Sequence, residues 1–333
     1  MVGRAVYIKT IFAVLLAAGF WFGVAASPAQ AITLIPPSLE LGLTPGQPLK
    51  TMVKLFNESL SQVTLYTEAR NFTAKGDTGQ PNFDFVGTEQ IGLSSWVQME
   101  KGPIVLEAGQ RYEVPVTITP PANADPGGHY AAIFFSTSPP EEGQVRVASK
   151  VGTLILASVE GLVAERGSIA EFTATGAKQW YSRLPVELSV HFRNEGNVHL
   201  KPGGTVTVKN IFGRTSATLE FNASKGATLR ETTRRYGLLW ERGAVDATSG
   251  NAWSDFWREY GNERRNFAIG KYTLTLNLVA GTDSSVQDTA ALSVWVFPWH
   301  ICLIWLVAAA LAVWLVMFLV KRYNRWIITK AKT

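Results

Sequence analysis

The feature that most constrains this chain is the apolar run from Ile301 to Val320. At ~1.5 Å per residue, its roughly 20 residues make a helix about 30 Å long, the thickness of a bilayer's hydrocarbon core. Lys321, Arg322, Arg325, Lys330 and Lys332 follow it, whereas Ser293 to Trp299 carry no charge. The positive-inside rule places the C-terminus of such a span in the cytoplasm. Trp295 and Trp299 on one side, with Tyr323 and Trp326 on the other, are rings of the kind that settle at the two membrane interfaces. The expectation is a transmembrane helix at 300–320 and a cytoplasmic tail at 321–333.

At the front, Arg4 and Lys9 precede an apolar stretch from Ile11 to Val24, and Ala29-Gln30-Ala31 supplies a small-x-small cleavage site. This predicts a signal peptide over 1–31. The expected location is the cytoplasmic membrane, single-pass and type I, with everything between the two apolar ends extracellular or periplasmic.

The chain is 47% hydrophobic, but its terminal segments absorb a good part of that. What lies between, roughly 265 residues, suits two domains of ordinary size. Several of the basic residues behind the net charge of +5 belong to the signal and the tail, where they orient a membrane protein, so nucleic acid is not an expected partner. The single cysteine, Cys302, lies in the span, so no intrachain disulfide forms and the domains must stand on packing.

Period-two alternation dominates the middle. Val53, Leu55 and Asn57 share one face, as do Val63, Leu65, Thr67 and Ala69, and then Tyr112, Val114, Val116 and Ile118. Pro36-Pro37, Pro45-Gly46, Pro120-Pro121, Asp125-Pro126-Gly127-Gly128 and Pro139-Pro140 punctuate these strands at sandwich-like intervals. Thr73 to Ser95 is polar and Gly-rich and reads as a long excursion without a convincing strand. The pattern restarts near Gly161, with a boundary at about Glu165 to Gly167: Val186, Leu188, Val190 and Phe192 alternate, Asn194 to Asn197 and Asn210 to Arg214 make turns, and Tyr272, Leu274, Leu276 and Leu278 form a late strand. The reading is all-β: two tandem immunoglobulin-like antiparallel β-sandwiches over 32–165 and 166–297, preceded by a signal peptide and followed by one transmembrane helix. An insertion at 243–265 breaks the second. There Trp253, Phe256, Trp257 and Tyr260 fall at i, i+3, i+4 and i+7, which puts four aromatics on one face of a short helix.

Pro120 to Phe135, with Val147 to Leu156, resembles bacterial DUF916-type cell-surface proteins, which include the WxL-interacting proteins of Gram-positive walls. Asn194 to His199, Asn210 to Gly213 and Trp295 to Trp299 are similar to the companion domain of membrane-anchored relatives. The resemblance covers nearly the whole region between the apolar ends. It implies two immunoglobulin-like domains on the cell surface, the first binding peptidoglycan and the second a host or partner protein. The aromatic insertion departs from the family pattern.

Two groups of residues are candidate partner-binding sites. Gly127-Gly128-His129-Tyr130 reads either as a ligand contact, with His129 and Tyr130 hydrogen-bonding a sugar or peptide, or as turn chemistry in which the glycines take positive φ; turn chemistry accounts for more of it. Trp253, Phe256, Trp257 and Tyr260 either present an apolar docking patch or fold back onto their own domain. Arg230, Arg234, Arg235, Arg258, Arg264 and Arg265 make those surroundings basic, or else line a solvated strand face. Sequons occur at Asn57, Asn71 and Asn222. His129, His191, His199 and His300 are too scattered for a metal, no nucleophile elbow is present, and neither a cofactor nor enzyme activity is expected. The expected function is non-enzymatic binding to peptidoglycan or to a partner surface protein. The competing expectation is a chaperone-like factor that holds exported surface or pilus subunits.

Overall fold

Period-two alternation emerges as β-strands throughout. The computed structural model describes residues 32–83, 92–139, 150–246 and 250–330, so the predicted signal peptide and the motif residues Val147 to Ser149 lie outside them. Strands β1 (Ile32–Ile35), β2 (Ser38–Leu43), β3 (Leu49–Asn57), β4 (Val63–Asn71), β5 (Thr73–Ala74), β6 (Pro81–Asn82), β7 (Val97–Met99), β8 (Ile104–Leu106), β9 (Arg111–Ile118), β10 (Gly127–Ser136) and β11 (Lys150–Val159) come first. They are followed by β12 (Gly167–Ala174), β13 (Trp180–Tyr181), β14 (Val186–Asn194), β15 (Gly203–Asn210), β16 (Thr215–Phe221), β17 (Thr233–Trp240), β18 (Gly270–Ala280) and β19 (Val286–Val296). The chain divides into two compact units. The first runs through Phe72 and resumes at Phe85–Ala124 and His129–Val159; the second takes Thr73–Asp84, Asp125–Gly128 and everything from Glu160 onward.

The first unit is a sandwich of two sheets, ordered β1-β3-β9-β7 and β2-β11-β10-β4-β8. Its opening strand serves both. β1 pairs antiparallel with β3, and β2 pairs parallel with β11. The switch falls at Pro36-Pro37, where neither residue has a backbone N–H to continue a ladder. Val53, Leu55, Val114, Val116, Ile133 and Phe135 fill the core from both sheets. The Thr73–Ser95 excursion is not strandless: β5 and β6 pair, and Leu93–Trp96 makes one helical turn.

The second unit stacks β12-β14-β17 against β13-β19-β18-β15-β16. Trp240, Phe192 and Phe221 are among its largest fully buried side chains, each removing apolar surface that stabilises by roughly 1.5–3 kcal/mol. Both structural units are thus immunoglobulin-like β-sandwiches. Between β17 and β18 lies the predicted aromatic helix, Ala252–Arg265, and β19 leads into a C-terminal helix, Trp299–Lys330. Trp299–Ile327 is long and apolar enough to cross a membrane, and none of its apolar window is buried against the protein.

The same turn device closes the third strand of the first unit and the second full strand of the other. Asn57 Nδ2 donates to the carbonyls of Ser61, Leu106 and Glu107, while its Oδ1 accepts from the Ser59 N–H and hydroxyl. Asn194 Nδ2 donates to the carbonyls of Val198 and Thr228, and its Oδ1 accepts from Gly196 N–H. Both side chains are fully buried and fully used, which is what a polar group withdrawn from water requires. Two of the sequons are therefore structural. The Asn57 amide is inaccessible, and both donors of Asn222 are engaged, on the carbonyls of Pro202 and Gly226. Asn71 Oδ1 accepts from Ser94 N–H.

Candidate functional site

The aromatic helix begins where its sequence provides for it. Asn251 is the N-cap and its side chain accepts from Ser254 N–H, Asp255 sits in the first turn, and Arg264 and Arg265 occupy the last, each suiting the helix dipole. The predicted aromatic stripe then divides. Trp253 and Trp257 are 71% and 47% exposed, meeting edge-to-face with ring centroids 5.7 Å apart. Phe256 and Tyr260 are half-buried, and Phe256 turns towards the C-terminal helix, 6.4 Å from Trp299 and 5.2 Å from His300 between ring centroids. The stripe is therefore split: Trp253 and Trp257 lie in water, while Phe256 and Tyr260 are partly withdrawn from it.

Beneath the stripe is a residue that the aromatic pattern overlooked. Glu263 is fully buried. Its Oε2 accepts from the Ile301 N–H at 3.0 Å, and its Oε1 lies 2.7 Å from His300 Nδ1. The first intrahelical bond of the C-terminal helix runs from Cys302 N–H to the Pro298 carbonyl, so Pro298 stands at the N-cap. Proline has no side-chain acceptor to offer the free N–H groups of a first turn. Glu263 supplies one from another helix. The sequence held a signal for this: Glu263 lies ten positions after Trp253 and three after Tyr260, on the same helical face as the aromatics, where a carboxyl group needs a partner.

Other polar groups fix the helix to its sandwich. Arg183, just before β14, meets Glu259 through two hydrogen bonds, Nε to Oε2 at 2.7 Å and Nη2 to Oε1 at 3.0 Å. The Arg183 hydrogen bonds hold the Glu259 carboxyl below its ordinary range against the opposing push of burial, with the guanidinium charge adding to the same effect. Asn262 and Asp246 exchange hydrogen bonds, Nδ2 to the Asp246 carbonyl and Asp246 N–H to Oδ1, both 3.0 Å. Buried Asn266 caps the far end, its side chain accepting from Gly243 N–H.

The arginines expected around this helix divide: Arg258, Arg264 and Arg265 belong to it, whereas Arg234 and Arg235 sit elsewhere on the sandwich. Arg234 and Arg235 lie towards the opposite end of β17 from Trp240. Arg234 packs over the Tyr236 ring and donates to the Ala227 carbonyl, and Arg235 N–H donates to the Asp77 carbonyl. Arg265 pairs with Asp246 and Arg258 with Asp255.

The other predicted group is placed by turn chemistry. Gly127 has φ 111°, and a Cβ there would sit 2.4 Å from the Asn197 carbonyl oxygen, so the close backbone approach that glycine permits is made by this chain itself. Positive φ was expected at both glycines and occurs only at Gly127. His129 and Tyr130 are half-buried on β10, with ring centroids 4.8 Å from Trp96 and 5.9 Å from Phe72. Among the described residues, no group of His, Cys, Asp and Glu is arranged to hold a metal ion.

Among the described residues, the second sandwich has an open seam on the side of β16 and β17. β16 and β17 are the outer strands of its two sheets on that side, and Thr218, Leu219, Glu220, Tyr236, Gly237 and Leu238 help to line a groove of about 620 Å³ between them. Leu219 and Leu238, which pack against the core, are left only partly buried along it.

No family model matches this chain, and no curated protein is similar to it. Among solved structures, the class 5 fimbriae chaperone CfaA is similar over 79% of this chain and 99% of its own, at 11% identity and a TM-score of 0.36. The Escherichia coli chaperone DraB is similar over 80% and 97%, at 9% identity and 0.35. The Pseudomonas aeruginosa CupB2 chaperone is similar over 78% and 98%, at 9% identity and 0.34. Likenesses this distant carry no argument about what this chain binds. Its own geometry says that it is a pair of immunoglobulin-like sandwiches whose second member is built directly onto a long apolar helix.

Proposed function

We propose that this chain is a membrane-tethered, non-catalytic binding protein that holds an extended segment of an exported polypeptide along the open seam of its second sandwich. This is the chaperone-like of the two roles that the sequence admits. Trp299–Ile327 crosses the cytoplasmic membrane, the basic tail stays inside, and both sandwiches face outward. Kinship with DUF916-type cell-surface proteins belongs to the same proposal.

The observation that carries this reading is the uncovered edge of β16. Among the described residues no strand pairs with its outer side, and Thr215 to Phe221 contains no proline or lysine to discourage one. A strand laid there gains main-chain hydrogen bonds and covers Leu219 and Leu238, which is how extended peptides are recognised by sheet edges. The edge of β17 is partly covered, because Asp77 already occupies Arg235 N–H.

The test uses a photo-crosslinking residue at exposed Thr218 of the full chain in cells. The expected adduct is with an exported polypeptide, and it disappears when Glu220→Lys places a charge on the edge. An adduct indifferent to that change, or no protein adduct together with retention of the full chain on purified wall glycan, overturns the proposal and restores peptidoglycan as the ligand.

A further inference from the structure

Exposed aromatic and large aliphatic side chains of the second unit gather at one end of its sandwich. Strand register fixes which end. Gly270 and Lys271 pair with Val296 and Trp295, Trp180 pairs with Trp295, Asn210 pairs with Tyr272, and Lys209 pairs with Thr215. The Ile211–Phe212 turn between β15 and β16, the start of β18, the end of β19 and β13 thus share the end from which the C-terminal helix departs. Trp240 closes the other sheet there, its ring centroid 4.9 Å from that of Tyr272.

At this end Phe212 is 80% exposed, Ile211 66% and Trp180 63%, and Phe267, Ile269, Trp295, Phe297 and Trp299 are exposed with them. Trp180 stacks on Trp295, centroids 5.2 Å apart and planes 14° from parallel. Trp253 and Trp257 join them through the aromatic helix, which Glu263 and Phe256 fasten to the first turn of the apolar helix. At the opposite end no Trp, Phe or Tyr is exposed among the described residues, where Leu162, Val163 and Val279 are the large apolar side chains in water. A turn tipped by Ile211 and Phe212 has no structural need of either side chain: the turn is held by Asn210, whose Oδ1 accepts from the N–H groups of Phe212 and Arg214.

We propose that this end of the second sandwich is a membrane-seating face. The Ile211–Phe212 turn, the Trp180–Trp295 stack and Trp253 with Trp257 lie in the headgroup interface of the leaflet from which the C-terminal helix emerges. Three things on this face name lipid as its occupant. It is continuous with the apolar helix; it is rich in Trp, the residue that favours an apolar body with a wet edge; and exposed Lys178, Lys209, Arg214 and Lys271 flank it within reach of phosphate groups. The seated sandwich then stands in a fixed attitude on the bilayer, presenting the β16–β17 seam to the same side of the membrane surface at all times.

The inference rests on Trp299–Ile327 being a bilayer span, and the experiment separates the two. Full chain carrying Cys302→Ser is reconstituted in phosphatidylcholine–phosphatidylglycerol vesicles, with single cysteines introduced by Phe212→Cys, Trp253→Cys, Ser224→Cys or Val313→Cys and labelled with an environment-sensitive fluorophore. Quenching is read with lipids that carry a nitroxide near the headgroup or deep in the acyl chain. At positions 212 and 253, blue-shifted emission quenched by the shallow nitroxide is expected. Position 224, at the opposite end, should stay water-like, and position 313 should be quenched by the deep nitroxide. Water-like emission at 212 and 253 with deep quenching at 313 overturns the seating face and leaves the span standing. Loss of quenching at 313 overturns the span and the inference together.

Discussion

Glu263 shows how one side chain couples two elements. A carboxyl group withdrawn from water is tolerated because two donors reach it, the Ile301 N–H and the His300 ring. Glu263→Ala removes the acceptor and leaves both donors enclosed. Each unsatisfied group costs about 1–3 kcal/mol, so the variant should lose stability in the second unit on that scale. Hydrogen–deuterium exchange is expected to accelerate over Ala252–Arg265 while the first unit's strands exchange as before. Unchanged protection of that helix would mean that the cap is dispensable. Asn57 and Asn194 make a related point: Asn-Glu at the end of each strand is a repeat visible in the sequence, yet only the shared hydrogen-bond pattern shows that both close a turn. The Asn57 sequon is thus a buried structural asparagine whose amide is fully engaged.

The aromatic helix is an element with two faces and two duties. Its inner side is occupied by Phe256, Glu259, Asn262 and Glu263, and its outer side by Trp253 and Trp257. The Arg183–Glu259 pair ties it to the approach to β14, and this tie depends on pH. Because the folded Glu259 carboxyl is depressed below its unfolded value of about 4.3, its contribution is fully present above that value and is lost as pH falls through the folded value. Between about pH 5 and pH 3 the wild-type chain should therefore lose more stability than Glu259→Gln, which has no such proton to take up. Near-ultraviolet circular dichroism during thermal unfolding reports it through the tryptophans. Equal acid sensitivity in the two proteins would dismiss the pair as a fastening.

On the scale of the molecule, two sandwiches are followed by one helix long and apolar enough to cross a membrane, and the proposed topology puts both sandwiches on the same side of it. Protease added to sealed, outward-facing membrane vesicles should digest both sandwiches and leave a small membrane-embedded fragment. Survival of the sandwiches until the vesicles are opened would reverse the topology and remove the exported partner with it. If the second sandwich sits on the lipid as inferred, Arg264 and Arg265 should be cut more slowly in vesicles than in detergent.

Much of this was legible in the residues themselves. Alternation with period two is a local property, so Val53, Leu55, Leu274 and Leu276 announced their strands and their buried faces. The apolar run after Pro298 announced a helix fit to cross a bilayer, and the spacing of Trp253, Phe256, Trp257 and Tyr260 announced an aromatic helix. Tertiary structure alone decided which of those aromatics stayed in water, that Glu263 caps a helix whose proline cannot cap itself, and that Ile211, Phe212 and Trp180 end up beside Trp295. The physical reason is that contacts between residues distant in sequence follow from strand order and register. Those are properties of how sheets close around a core, and no local pattern of side chains encodes them.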